Sequence, residues 1–156
     1  MLRMRKKTDM GTTMHAHIEV KKDGKWFHYG CPDITRNYLV FACINGMRKE
    51  WFEDNPKVYE RIQPVAKTDK LPDDMTEITR ICLDMDRSDY TLKGYGVLDA
   101  GDLYRLQKLL WSIPGVKPGT TEYDLEEGIF KTCIGGGSIA TARGFDDVRV
   151  IFWYDN

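Results

Sequence analysis

Three histidines are the side chains in this chain best suited to carrying protons or holding a ligand. Two of them, His15 and His17, alternate along Met14–Lys21, which puts them on one strand face together with Glu19. His28 falls on the segment that returns beside them. Metal ligation would need a second shell to orient the rings, and His15 and His17 lack an obvious carboxylate partner nearby in the sequence. Structural or ligand hydrogen bonding is therefore favoured, and no metal or other cofactor is expected. Paired with Asp146, Asp147 or Asp155, His15 or His17 would give the acid–base chemistry of a small hydrolase. No serine or cysteine elbow, H-E-x-x-H or paired metal motif accompanies them, so no residue is assigned as catalytic.

The second chemical group is cationic. Arg149 interrupts a run of β-branched and aromatic residues from Val148 to Tyr154. A guanidinium buried in such a run needs an anionic or strongly accepting partner, so Arg149 is either paired within the protein or presented to a ligand. Arg36 and Asn37 fall in the first turn of a helix expected over Thr35–Ile44, with Asp33 or Thr35 as its cap and Asn45-Gly46 as its stop. Exposed backbone N–H groups and an arginine at a helix start can hold an anion, and Tyr38 adds an aromatic face. His15, Arg36, Asn37, Tyr38 and Arg149 are thus the candidate ligand-binding residues, for a small anionic or nucleotide-like molecule.

Other motifs are weaker. The four cysteines, Cys31, Cys43, Cys82 and Cys133, include no C-x-x-C pair and read as buried thiols. Asp84, Asp86 and Asp89 lack the glycine and glutamate of a calcium loop and read as surface acids. Gly135-Gly136-Gly137-Ser138 has neither the lysine of a P-loop nor G-x-G-x-x-G spacing, and reads as a turn after a strand over Ile129–Ile134.

These groups are positioned by elements with recognisable punctuation. Asp23-Gly24 between Met14–Lys21 and Lys25–Tyr29 predicts a hairpin. Leu71-Pro72-Asp73-Asp74 opens a helix whose Met75, Ile78, Cys82 and Met85 should face the core. Thr91–Leu98 reads as a short strand, and Asp99 caps a helix through Leu103, Leu106, Leu109 and Leu110 to Trp111. The closing run, aromatic or β-branched at almost every position, predicts a central strand covered on both faces. Strand–helix alternation is incomplete, which gives an α+β class: a mainly antiparallel sheet with an N-terminal hairpin, a central C-terminal strand and about three helices packed on it.

With 156 residues, one domain is expected over 10–156, preceded by a flexible basic extension over 1–9. The balance of 23 basic and 24 acidic side chains leaves no extended nucleic-acid surface evident. No apolar run approaches the roughly 20 residues that cross a bilayer, and the expected location is cytoplasmic.

Met10-Gly11-Thr12-Thr13-Met14-His15, Arg36-Asn37-Tyr38 with Phe41, Gly46-Met47-Arg48, Leu71-Pro72-Asp73-Asp74 and the closing Asp147–Asn156 carry a resemblance. They are similar to a family of bacteriophages and prophages that opens M-G-x-D-I-H and closes D-V-R-x-V-F-W-F-D-N. Thr13 stands where that family has aspartate, and Lys93–Leu98 departs from its H-S-x-S-W-L. The resemblance implies a small accessory protein in the cytoplasm of a bacterial host but no particular activity. The first expectation is binding of the anionic ligand without catalysis, as in sequestering a host immune signal, for which a homo-oligomer would be natural. The alternatives are the His/Asp hydrolase and a protein-interaction module that blocks a host factor through Trp51, Phe52 and Tyr59.

Overall fold

Alternating side chains and a tight turn build the first half of the sheet. Strand β1 (Thr13–Lys22) runs into β2 (Lys25–Gly30) through Asp23 and Gly24, both at positive φ, 51° and 80°. That geometry matches the right-handed twist of the strands it joins. The computed structural model describes residues 11–32, 34, 36–117, 123–125 and 144–155. The 1–9 extension, the 129–134 strand, the glycine turn, Cys133 and the caps Asp33 and Thr35 lie outside them.

After β2 come α1 (Tyr38–Asn45), a 3-10 turn (Lys49–Phe52), α2 (Pro56–Tyr59), α3 (Glu77–Asp89), β3 (Leu92–Asp99), α4 (Ala100–Ser112) and β4 (Asp147–Asp155). The strands order as β2-β1-β4-β3 with every neighbour antiparallel. This is the expected α+β fold, with the hairpin at one side and the C-terminal strand β4 inside the sheet.

The period of two divides β1 and β4 between two cores. Met14, Ala16, Ile18, Val20, Val148, Val150, Phe152 and Tyr154 face the larger one, with Phe41 of α1 and Leu103, Leu106 and Leu110 of α4. Fully burying a side chain of this size contributes roughly 1.5–3 kcal/mol, so this layer supplies most of the driving force. Gly96 of β3 is required there, because a Cβ would stand 2.5 Å from Phe152 Cζ. On the opposite face, Ile151 and Trp153 pack under Leu83 of α3. No helix among the described residues is long and apolar enough to cross a membrane.

Two helices differ from expectation. Helix α1 begins at Tyr38, and its cap is Asn37, whose side chain accepts from the Val40 N–H at 3.2 Å. Arg36 therefore precedes the helix instead of lying in its first turn. Helix α3 begins at Glu77 behind the cap Thr76, and Ile78 and Met85 are exposed, 53% and 59%. Thr79 and Leu83 are the buried pair, because α3 covers a sheet face that carries charge as well as apolar surface. A helix turned by Thr79 toward Glu19 presents a different stripe from one turned by apolar residues alone. Helix α4 follows expectation, closed at its start by a reciprocal Asp99–Asp102 capping box.

Candidate functional site

The face of β1 that points toward α3 bears Thr13, His15, His17 and Glu19 at successive positions, roughly 7 Å apart along the strand. Each of the last three sits in its own polar cluster.

Glu19 anchors the inner end. It is fully buried and lies opposite Arg149 of β4. Arg149 Nε and Nη2 donate to Glu19 Oε1 at 2.9 and 2.7 Å, and Nη1 donates to Asp74 Oδ1 at 2.8 Å. The Trp26 ring covers the guanidinium at 4.0 Å. Glu19 Oε2 accepts from the Thr76 N–H at 2.9 Å and the Thr79 hydroxyl at 2.7 Å. Burial by itself would raise the Glu19 carboxyl, but the hydrogen bonds from Thr76, Thr79 and Arg149 outweigh it and hold it below the usual carboxylate range. The Arg149 bond likewise lowers the exposed Asp74 carboxyl. Of the two roles open to Arg149, the internal ion pair is the one observed. Its grouping with His15 and Arg36 is not, since His15 lies four residues along β1, roughly 13 Å away.

In the middle, His17 Nδ1 lies 3.0 Å from His28 Nε2 on β2, and the Cys31 thiol lies 3.2 Å from the first and 3.7 Å from the second. The His17 ring stacks on Trp153, with centroids 4.9 Å apart. Burial, helped by the neighbouring His28, lowers the His17 pKa from 6.5 to about 4, and burial lowers that of His28 too. Both rings are therefore neutral at neutral pH, with lone pairs available to a hydrogen or a metal ion. Cys31 is exposed, unlike the buried thiol expected of it, whereas Cys43 is buried and its thiol is pushed up to about 12 by that burial.

The His17 shift makes an acid-sensitive fold. Between pH 6.5 and about 4 the unfolded chain binds a proton that the folded one refuses, so stability rises with pH across that window. At about 1.4 kcal/mol per unit the full effect comes to about 3–4 kcal/mol. Urea denaturation of chelator-treated protein should therefore show a midpoint falling steadily from pH 7 to 4.5, before the carboxylates protonate. A midpoint constant over that range would contradict the placement of His17.

At the outer end, His15 stands between two carboxylates. Its Nε2 makes a short contact with Asp155 Oδ2, and its Nδ1 lies 3.3 Å from Asp86 Oδ2. Asp86 also accepts from Trp153 Nε1 at 2.9 Å. Asp86 is thus no plain surface acid: it ties α3 to β1 and β4. The His15 side chain keeps a quarter of its surface exposed. A cleft of about 350 Å³ opens there, lined among others by Thr13, His15, His17, Cys31, Cys82 and Asp86.

The remaining sequence candidates are spread out. Arg36 is exposed and its Nε donates to Thr13 Oγ1 at 3.3 Å, on the cleft wall. Asn37 serves as the α1 cap, and the Tyr38 hydroxyl accepts from the Thr12 N–H at 3.1 Å. Trp51 stacks edge-on against Tyr38. Sequence reasoning missed Cys31 and Asp86. The signal for Cys31 was its spacing from His28, an H-x-x-C pair, where only C-x-x-C was sought.

Of the outer and middle clusters, His15, Asp86, His17 and Cys31 line one opening, with Asp155 against His15 and His28 against His17. No protein-family model, no curated protein and no solved structure matches this chain.

Proposed function

We propose that the protein is a small hydrolase whose acid–base group is His15, working on a polar substrate in the cleft beside α3. The observation that carries this reading is the imidazole held between Asp155 and Asp86 at the cleft wall. Asp155 fixes the ring through Nε2, and Nδ1 gives up its 3.3 Å contact with Asp86 Oδ2 to accept from a water in the cleft. Water entering there would give its proton to Nδ1 as its oxygen attacks an ester or phosphoester centre. The bond to the leaving oxygen breaks, and the same proton passes to that oxygen, which restores His15.

One observation favours a second reading, in which the cleft holds a small anionic, nucleotide-like ligand without turnover. Arg36 stands exposed beside Thr13, a cation at the edge of the opening. An accessory protein of phage type, sequestering a host signal in the bacterial cytoplasm, would use such a site. Asn37, Tyr38 and Arg149 are engaged in bonds within the protein and support it less.

Both readings are tested with one panel of cyclic and linear nucleotides, phosphomonoesters and carboxylic esters. Mass spectrometry of wild type, His15→Ala and Asp155→Asn should show a product from at least one compound that both substitutions suppress. Unchanged compounds with saturable heat in isothermal titration would favour binding. Unchanged compounds and no heat would remove both.

A further inference from the structure

We propose that His17 Nδ1, His28 Nε2 and the Cys31 thiolate bind one divalent transition-metal ion, of which zinc fits best, with its fourth position open to the cleft. The three donor atoms lie within 4.8 Å of one another, at separations of 3.0, 3.2 and 3.7 Å. A tetrahedral zinc with bonds of about 2.05 Å to nitrogen and about 2.3 Å to sulfur holds its nitrogens about 3.3 Å apart and nitrogen and sulfur about 3.6 Å apart. The donors need to move by only a few tenths of an ångström on average to receive the ion.

The backbone supplies an independent observation. His28 and Cys31 are an odd number of residues apart, so a regular strand would point them to opposite faces. The β1–β2 pairing is irregular at this place: Glu19 lies opposite His28, and the next residue back, Ile18, lies opposite Gly30. Tyr29 is the extra residue of a β-bulge. Continued in that register, Cys31 comes opposite His17, on the same face as His28. Bulges that re-aim a side chain in this way recur beside functional sites. The bulge therefore gathers a ligand set that regular pairing would have scattered.

The chemistry of the donors narrows the ion. Two imidazoles and a thiolate suit zinc and are too soft and too few for magnesium or calcium, which take oxygen ligands. Three protein ligands with an open position form the pattern of zinc sites that hold a water, and His17 and Cys31 both line the cleft. His15, two residues before His17, lines the same cleft. A metal-bound water there would be the nucleophile that the hydrolytic reading requires, although binding of the ion does not rest on that reading.

The test uses untagged full-length protein purified without chelator. Metal analysis should find about one equivalent of zinc per chain, since the structure offers one such donor set among the described residues. Titration of stripped protein with cobalt(II) should give visible bands of a tetrahedral ion and a sulfur-to-cobalt absorption. Cys31→Ser should abolish the sulfur band and weaken cobalt binding beyond the roughly 10- to 100-fold that an outer-shell loss costs. Cys31 is exposed, so its variant should keep the wild-type circular dichroism, and His28→Ala is a second variant on the edge strand. Absence of saturable cobalt binding to the wild type would overturn the proposal, as would an unchanged sulfur band in folded Cys31→Ser. Cobalt binding without turnover leaves the metal site standing, and turnover by a protein that binds no cobalt leaves only the hydrolytic reading.

Discussion

Replacing Arg149 by methionine should cost about 3–5 kcal/mol of stability, the usual consequence of removing one member of a buried ion pair. Glu19 is fully buried, and Arg149 supplies two of its hydrogen bonds as well as the only cation that contacts it among the described residues. Methionine fills much of the same volume under Trp26 but leaves the carboxylate facing an apolar neighbour. The carboxyl would then tend to protonate, as burial by itself favours. Thr76 and Thr79 still bond Oε2, which keeps the loss toward the lower end of the range. Combining Arg149→Met with Glu19→Leu should return only part of the stability, since a pair replaced by apolar side chains is often close to neutral but leucine leaves the Thr76 N–H and the Thr79 hydroxyl without their acceptor. Urea denaturation of both single variants and the double variant measures the coupling. A single-variant loss below about 1 kcal/mol, typical of exposed pairs, would contradict the buried pair.

The largest functional effect should come from His15→Ala, with turnover of any substrate found in the panel reduced by about 10²–10⁴-fold, the usual contribution of a positioned acid–base group. Asp155→Asn should reduce it less. Asparagine keeps the size of the aspartate and can still hydrogen-bond Nε2, but it lacks the charge that stabilises the imidazolium formed as the water proton is taken. The effect should appear mainly in kcat, because His15 acts on the reacting water, whereas Arg36→Ala at the cleft edge should raise KM for anionic substrates. Equal turnover by wild type and His15→Ala would remove His15 from the chemistry.

Much of the fold was legible because its signals are local. Asp23-Gly24 has only one comfortable conformation between two alternating runs, and Asp99 followed by Asp102 closes its own helix start. Val148–Tyr154 announced a strand covered on both faces, and β4 is one. What covers its second face was not legible, since Arg149 and Glu19 are 130 residues apart and their pairing depends on sheet order. Helix α3 was misaligned for the same reason. Its apolar residues suggested the stripe of Ile78 and Met85, while the buried charge of Glu19 called for Thr79. The site was partly legible: period two placed His15, His17 and Glu19 together, and Asp155 was among the acids considered for His15. Cys31 was hidden by the bulge at Tyr29, which changes the face of every residue after it. Asp86 was hidden because three nearby acids on a helix look alike until the helix has a face.

On the proposed metal site, the His17 cluster serves chemistry and not stability. Denaturation of chelator-treated His17→Leu in urea at neutral pH checks this. His17 is buried and desolvated, and its ring sits against Trp153, where leucine supplies apolar contact without a polar group to satisfy. The expected result is a variant as stable as the wild type or more so, as when a functional side chain is replaced by one better suited to packing. A loss of more than about 2 kcal/mol, the scale of a disrupted core, would mean that the histidine pair holds the sheet together, and the claim would be wrong.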